Sequence, residues 1–374
     1  MRICVFGGAF NPPHIGHIRA AEYISEKFGP DLFLIMPSSL ILTSPDFPAA
    51  EERLALCREA FKHIPNLEIS DYEINKSGRS YTSDTLRYIL TLYPEAEISF
   101  VIGDDKLPSL KNWHEYDYLS NNSSFIVLTR NELDIPAETG LLPAGNGILS
   151  ASSTDVRSLL KDGKGREYLT DGVYSLIVKT GAYSPKPSLD WLREKSYSYL
   201  KPSRVPHVEG CEKTAVELAE LYGADKYKCA EAAILHDITK KLDYNEQLNL
   251  VKKYAIMCDD AELSNPALLH SKTGAYFAKE EFSIPQDVFD AIFWHTTGKP
   301  EMSMLEMIIY IADYIEPTRS FPAVEGLREL TYKNIYAGVA AALENTVEHV
   351  SSTGAGVHPN SIKALTYYKE YLQK

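Results

Sequence analysis

The chain is expected to fold as an α/β unit with a doubly wound parallel sheet, followed by an all-α helical bundle. Three observations lead there. In the front part, short apolar runs alternate with amphipathic stretches, the mark of repeated βα units,. Gly181-Ala182-Tyr183-Ser184-Pro185-Lys186-Pro187-Ser188 then carries two prolines and no apolar periodicity,. From Leu189 onward the periodicity is helical and no convincing strand is found,. The expected layout is a first domain over 1–184, a stiff linker over 185–188 and a second domain over 189–374.

In order, Arg2-Ile3-Cys4-Val5-Phe6 reads as a buried strand, and Ile18 to Ile24 as helix,. Leu32-Phe33-Leu34-Ile35-Met36-Pro37 is a second strand ended by proline, which makes the opening a βαβ unit,. Glu51 to His63 is an amphipathic helix, Leu67 to Ser70 a strand, and Ser83 to Tyr93 a helix with Ser83 as its cap,. Ile98 to Ile102 is a strand ending in Gly103-Asp104-Asp105. Leu107 to Leu119 reads as mostly helical and contains Trp113, and Ser124 to Leu128 is another strand. In such a sheet, ligands bind at the carboxyl ends of the strands.

The turn after the first strand carries the chemistry: Gly7-Gly8-Ala9-Phe10-Asn11-Pro12-Pro13-His14-Ile15-Gly16-His17. Two glycines let the backbone approach a ligand, and Pro13 suits the first helical position. His14 and His17 fall at i and i+3 on one helical face. A helix N-terminus is an anion site, and two imidazoles there can stabilise charge on a transferring phosphorus. The plainer alternative is a tight turn with two surface histidines. Ser152-Ser153-Thr154-Asp155-Val156-Arg157 opens a later helix, either as a triphosphate clamp or as a capped helix with a surface arginine,.

Bulk properties narrow the classes. A net charge of −13 argues against broad nucleic-acid binding, which needs a basic footprint, but leaves local phosphate sites open,. The five scattered cysteines contain no C-x-x-C pair and fit free thiols in a reducing compartment,. The N-terminus runs straight into a strand, with no signal peptide and no apolar run of membrane-spanning length, so a cytoplasmic protein is expected,.

GGAFNPPHIGH, SYTSDTL, FVIGDD with Trp113 downstream, and SSTDVR together resemble bacterial nicotinate-nucleotide adenylyltransferases of the nucleotidyltransferase superfamily, over about residues 1–184. The resemblance implies that ATP and nicotinate mononucleotide give nicotinate adenine dinucleotide and pyrophosphate, with Mg2+. By that resemblance Gly7, Gly8, Phe10, His14 and His17 meet ATP. Gly103 and Asp105 lie near its ribose, and Ser153, Thr154 and Arg157 near adenine and triphosphate. Thr85 and Trp113 would meet the nicotinate ring, although a lone tryptophan such as Trp113 is more often a core residue than a stacking platform. One departure stands out: the loop Ser38-Ser39-Leu40-Ile41-Leu42-Thr43-Ser44-Pro45 lacks the lysine and histidine that the family places there.

In the second half, Cys229, Ala232, Ala233 and His236 trace one stripe of a helix expected over Lys226 to about Lys241, with Asp237 beside it,. Leu305, Ile308, Ile309, Ala312 and Asp313 trace another. His207, His270 and His295 stand at helix ends. Buried His and Asp on several helices most simply converge on a metal, the other reading being a hydrogen-bonded polar network. AAILHDITK, LLHSKTGA, IFWHTTG and YIADYIEPTR resemble the bacterial HD-superfamily hydrolases that split diadenosine tetraphosphate symmetrically, over about 189–374. That implies iron, or another divalent metal, on His207, His236, Asp237 and Asp313. Lys240, His270, His295, Thr296 and Arg319 would contact phosphate, and a metal-bound hydroxide would attack phosphorus. The segment Ser351 to Pro359 is either a connecting loop or a cover over adenosine.

The expected protein is therefore a bifunctional enzyme whose partners are small nucleotides rather than nucleic acid or membrane. A homo-oligomer is left open. Two rivals remain. The second half could be a nucleotide sensor without turnover, or act on another nucleotide. The first half could adenylylate a different acceptor.

Overall fold

The computed structural model describes residues 1–39, 47–76, 78, 80–128, 141–144, 152–354 and 356–373, with residues 141–144 and Pro266 described by backbone alone. It divides into two compact units, Met1–Pro187 and Ser188–Lys374.

The first unit runs β1 (Arg2–Gly8), α1 (Ile15–Phe28), β2 (Leu32–Pro37), α2 (Ala50–Phe61), β3 (Leu67–Ile69), α3 (Thr82–Leu92) and β4 (Glu97–Gly103). It continues with α4 (Tyr116–Asn122), β5 (Ser124–Leu128), β6 (Leu141–Ala144), α5 (Ser153–Lys161) and α6 (Asp171–Thr180). The strands form one sheet in the order β3-β2-β1-β4-β5-β6, and each neighbouring pair is parallel. β2 is buried along its whole length, which explains its unbroken apolar run,. Ile3, Val5, Leu34, Met36, Ile98, Phe100 and Phe125 pack on one face with Leu86 and Ile89 of α3.

The strand order reverses at β1, which pairs with β2 on one side and β4 on the other. Two residues beyond the Phe6–Val101 pair both strands end, β1 at Gly8 and β4 at Gly103. The crevice between their outgoing loops is where a doubly wound sheet takes its ligand.

Three local expectations change. The segment after β4 is a 3-10 helix over Asp104–Asn112, followed by the short α4, rather than one helix. Pro108 offers no N–H inside it, and Glu115 takes a left-handed backbone (φ 54°) just before α4,. Tyr81, not Ser83, is the N-cap residue of α3, and the buried Ser83 hydroxyl meets His114 Nδ1 at 3.1 Å instead. β6 has no counterpart in the sequence reading. Its Pro143 hides it, and the strand tolerates proline because it lies at the sheet edge,.

The second unit is helical throughout its described residues: α7 (Leu189–Tyr199), α8 (Val205–Tyr222), α9 (Lys226–Leu235), α10 (Tyr244–Lys253), α11 (Asp260–Ser264) and α12 (Pro266–Phe282). Then come α13 (Gln286–Trp294), α14 (Met304–Ile315), α15 (Val324–Lys333), α16 (Ile335–Ser352) and α17 (Pro359–Tyr371). α14 is the central helix, packed against α8, α9, α13 and α16. Eight of its residues are buried, including Ile308, Ile309, Ile311 and Ile315. Each such isoleucine contributes about 1.5–3 kcal/mol by leaving water. α9 ends at Leu235 rather than near Lys241. Beyond it the chain tightens into i→i+3 turns, with Ile238 N–H on Leu235 O and Lys240 N–H on Asp237 O. That tightening sets His236, Asp237 and Lys240 around one point.

Candidate active sites

In the first unit, Gly7 is exposed, and a Cβ there would meet nothing within 4 Å, so the backbone is open to a ligand. Phe10 turns the other way. Its ring is buried against Phe6, Phe61 and His17, at centroid distances of 5.4, 5.7 and 5.0 Å. The loop is pinned from several elements. Buried Arg53 of α2 donates to Ala9 O and Ser38 O, both at 3.0 Å. Tyr183 Oη donates to Asn11 Oδ1 at 2.8 Å. From α5, Ser153 Oγ donates to Pro12 O at 3.0 Å and Arg157 Nη1 to Asn11 O at 2.5 Å. Arg157 Nη2 also donates to Thr154 Oγ1 at 3.0 Å. The expected triphosphate clamp and the histidine turn are thus one local assembly.

His14 is the N-cap residue of α1, and the His14 and His17 rings lie 3.7 Å apart between centroids. The His14 main-chain N–H donates to His17 Nδ1 at 3.1 Å. Burial, reinforced by His14, holds the His17 pKa well below the usual imidazole value,. Asp105 lies just beyond Gly103 and pairs with Lys106 at 2.7 Å. A Cβ on Gly103 would collide with the Asp105 carboxylate. Thr85 is buried, with its hydroxyl on Glu73 Oε1 at 2.5 Å. The partly buried Trp113 packs edge-on to Phe125 at 6.3 Å. Residues 40–46, which include most of the altered loop, lie outside the described residues.

In the second unit, helix ends bring the expected ligands together. His207 Nε2 is 3.0 Å from Asp313 Oδ1 and 3.8 Å from Asp237 Oδ2. His236 Nε2 is 3.4 Å from Asp237 Oδ2 and 3.9 Å from Asp313 Oδ1. His207 Nδ1 meets Glu316 Oε1 at 2.9 Å, which orients the ring with Nε2 toward the cluster,. His236 Nδ1 is engaged by Ala233 O at 2.7 Å, while its buried Nε2 has no hydrogen-bond partner among the described residues. Buried polar atoms as a rule have a hydrogen-bond partner, so this one favours a further ligand over a closed polar network,. These residues fit a divalent ion.

The electrostatics are strongly coupled. Burial works against the carboxylates of Asp237 and Asp313, but the histidines around them hold both pKa values well below the usual range. Burial also disfavours charge on His236, yet Asp237 and Asp313 raise its pKa overall. His295 is pushed well down by burial and by His270 and His236.

Around the cluster, His270 Nε2 is 3.1 Å from both Asp237 Oδ1 and His295 Nε2, and Lys240 Nζ is 3.1 Å from His270 Nε2. Arg319 Nη2 donates to Asp313 Oδ1 at 2.7 Å, and Thr296 Oγ1 meets Ser271 Oγ at 2.9 Å. Lys240, His270, His295, Thr296, Asp313 and Arg319 all line a cleft of about 820 Å³ that extends to Tyr314, Phe321 and Ser352. Sequence reasoning missed Arg204, whose Nε donates to Asp237 Oδ2 at 2.6 Å, and Cys211, whose Sγ is 3.3 Å from His207 Nε2. The i, i+4 spacing of His207 and Cys211 was the available signal for the latter. In the segment after α16, His358 caps α17 and its Nε2 lies 3.0 Å from Asp259 Oδ2.

The geometry is that of a doubly wound α/β unit with a paired-histidine turn at its switch point, followed by a helical unit whose buried His and Asp residues could hold a metal ion. Residues 5–159 match the cytidylyltransferase-like family and residues 204–318 the HD domain. A symmetrical bis(5'-nucleosyl)-tetraphosphatase of Halalkalibacterium halodurans is 39% identical over 46% of this chain and 93% of its own length. A probable nicotinate-nucleotide adenylyltransferase of Gemmatimonas aurantiaca is 31% identical over 50% of this chain and 94% of its own. A Mycoplasma pneumoniae protein named probable nicotinate-nucleotide adenylyltransferase/Ap4A hydrolase is 29% identical over 84% of this chain and 88% of its own. The chain belongs to the nicotinate-nucleotide adenylyltransferase family in its first half and to the HD-domain symmetrical tetraphosphatase family in its second.

Proposed function

We propose that the first unit transfers the adenylyl group of ATP to nicotinate mononucleotide, and that the second splits diadenosine tetraphosphate symmetrically into two ADP, in the cytoplasm. The first reading is carried by the paired His14 and His17 at the start of α1, joined through the pinned loop to Ser153, Thr154 and Arg157. The second is carried by the orphaned His236 Nε2 among His207, Asp237 and Asp313, the last of which lines a cleft together with Lys240 and Arg319.

In adenylyl transfer, His14 and His17 would donate to the phosphates of ATP, accompanied by Mg2+. Arg157 would reach the triphosphate by exchanging its Asn11 or Thr154 contact. The backbone at Gly7, Gly8 and Phe10 gives close approach. Gly103 and Asp105 would face the ribose, and Thr85 and Trp113 the nicotinate. The attacking phosphate oxygen is already anionic, so alignment and charge stabilisation suffice without a general base.

In hydrolysis, His207, His236, Asp237 and Asp313 would hold the divalent ion, read as iron. When bound, the ion supplies Lewis acidity and a water of lowered pKa. Lys240, His270, His295, Thr296 and Arg319 would hold phosphate oxygens and take up developing charge. The protein as a whole carries −13, so the two cations at this cleft, Lys240 and Arg319, favour an anionic ligand there,.

The test is to incubate iron-loaded protein anaerobically with diadenosine tetraphosphate and separate the nucleotides. ADP as sole product supports the reading. ATP plus AMP overturns symmetrical cleavage, and tight binding without product favours a sensor. A parallel assay of pyrophosphate release, with nicotinate or nicotinamide mononucleotide as acceptor, tests the first site.

A further inference from the structure

Cys211 lies one helical turn after His207 on α8, so both side chains leave the same face,. Its thiol is buried, and Sγ is 3.3 Å from His207 Nε2. One ligand atom each from His207, Cys211, His236 and Asp313 fit within 4.8 Å of one another. A nitrogen and a sulfur sharing one ion, at about 2.1 and 2.3 Å, stand roughly 3.1–3.6 Å apart for bond angles between square and tetrahedral. The Cys211–His207 separation falls inside that window.

A second observation points to a ligand at this spot. His236 Nε2 is buried, has no hydrogen-bond partner among the described residues and belongs to the same four-residue group. Without an ion the thiol would share His207 Nε2 through an S–H···N hydrogen bond, and Sγ also lies 3.9 Å from Ala312 O.

We infer that Cys211 is a sulfur ligand of the divalent ion held by His207, His236 and Asp313. The inference rests on the metal reading given above. Coordination replaces the S–H bond by a sulfur–metal bond. The proton leaves to solvent, and no electron is transferred. A sulfur donor shifts the site's preference toward softer ions such as zinc, cobalt(II) and iron(II), and away from manganese and magnesium.

The experiment loads the full-length protein with one equivalent of cobalt(II) in thiol-free buffer and records its absorption. In parallel, X-ray absorption at the metal edge is measured on the zinc-loaded protein. The expected result is an intense near-ultraviolet sulfur-to-cobalt band and one sulfur neighbour at about 2.3 Å from zinc. Cys211→Val should lose the band yet still bind cobalt, more than about tenfold more weakly, since even outer partners of a metal site contribute that much. Stoichiometric metal with only nitrogen and oxygen neighbours overturns the inference and leaves the metal reading standing. So does a sulfur signal retained in Cys211→Val or Cys211→Ser. A protein that takes up neither metal overturns both. If both variants fail to fold, X-ray absorption on the unaltered chain still decides whether sulfur is bound.

Discussion

The main-chain N–H of His14 donates to Nδ1 of His17 across 3.1 Å, and this bond sets which nitrogen of His17 carries the proton,. With Nδ1 accepting, the neutral ring bears its hydrogen on Nε2. Burial, with His14 alongside, keeps the ring neutral by holding its pKa well below 6.5. His17 therefore meets phosphate as a neutral Nε2–H donor. His17→Ala is expected to slow pyrophosphate release on the order of 10²–10³-fold, the usual cost of one charge-stabilising donor. Diadenosine tetraphosphate hydrolysis should be unchanged. The mirror variant, Asp237→Ala, should lose metal and hydrolysis and keep adenylyl transfer. A folded single variant that loses both activities would refute two independent sites.

The same depressed pKa gives a pH signature. The unfolded His17 takes up a proton near pH 6.5, and the folded one only at lower pH. The stability due to its neutral burial is therefore present above about pH 6.5. It is lost as pH falls through the folded value. The measurement is thermal unfolding from pH 8 down to 5, comparing the parent with His17→Asn. The parent should lose more stability over the acid part of that range, and identical slopes would contradict a buried neutral ring.

Glu316 is fully buried, with one carboxylate oxygen 2.9 Å from His207 Nδ1. It also accepts from the Thr318 N–H at 2.6 Å, so it is itself held in place. Glu316→Gln should weaken metal binding about 10–100-fold, the range for partners that orient a metal-bound histidine. Metal titration followed by protein unfolding temperature would read this. An unchanged affinity would mean that His207 needs no such support.

What could be read in advance followed from sequence distance. The strand, glycine pair, proline and both histidines of the first site are neighbours in the chain, so their relation survives in one dimension. Asp313 was legible because the stripe of α14 repeats around it. Arg53 was not, because its acceptor Ala9 lies 44 residues back. Nor was Arg204, which meets Asp237 33 residues on. Cys211 sat at a readable spacing from His207. A lone cysteine on a helix reads as a small core residue until the carboxylate of Asp313 arrives from another helix. β6 failed for a different reason: proline in a short run is evidence against a strand unless the strand is known to be an edge.

Arg53 and Tyr183 hold the histidine loop from behind. Arg53 is 3% exposed and donates to Ala9 O and Ser38 O, which joins the turn after β1 to the turn after β2. Arg53→Ala should cost about 2–4 kcal/mol, because charge-assisted bonds are lost and carbonyls are left dry. Tyr183→Phe removes one bond to Asn11 Oδ1 and should cost about 1 kcal/mol,. Both are measured by chemical denaturation, and Arg53→Ala should also raise KM for ATP. A variant as stable as the parent would show that the loop keeps its shape unaided.

The cysteines offer a test that needs no variant. Cys4, Cys57, Cys211 and Cys229 are buried, and only Cys258 is partly exposed. Burial pushes the Cys4 thiol up to about 11 and those of Cys57 and Cys229 up to about 12. Burial, with Asp313 nearby, raises Cys211 well above its ordinary value. At pH 8 a thiol with pKa 11 is thiolate only about one part in a thousand, and only the thiolate alkylates,. Iodoacetamide on the native, metal-free protein should therefore label Cys258 first, one site per chain. Unfolding in guanidinium should expose all five. Peptide mass spectrometry reads the sites. Rapid native labelling of Cys4 or Cys57 would contradict the packed sheet around β1 and α2, because alkylation there requires the first unit to open.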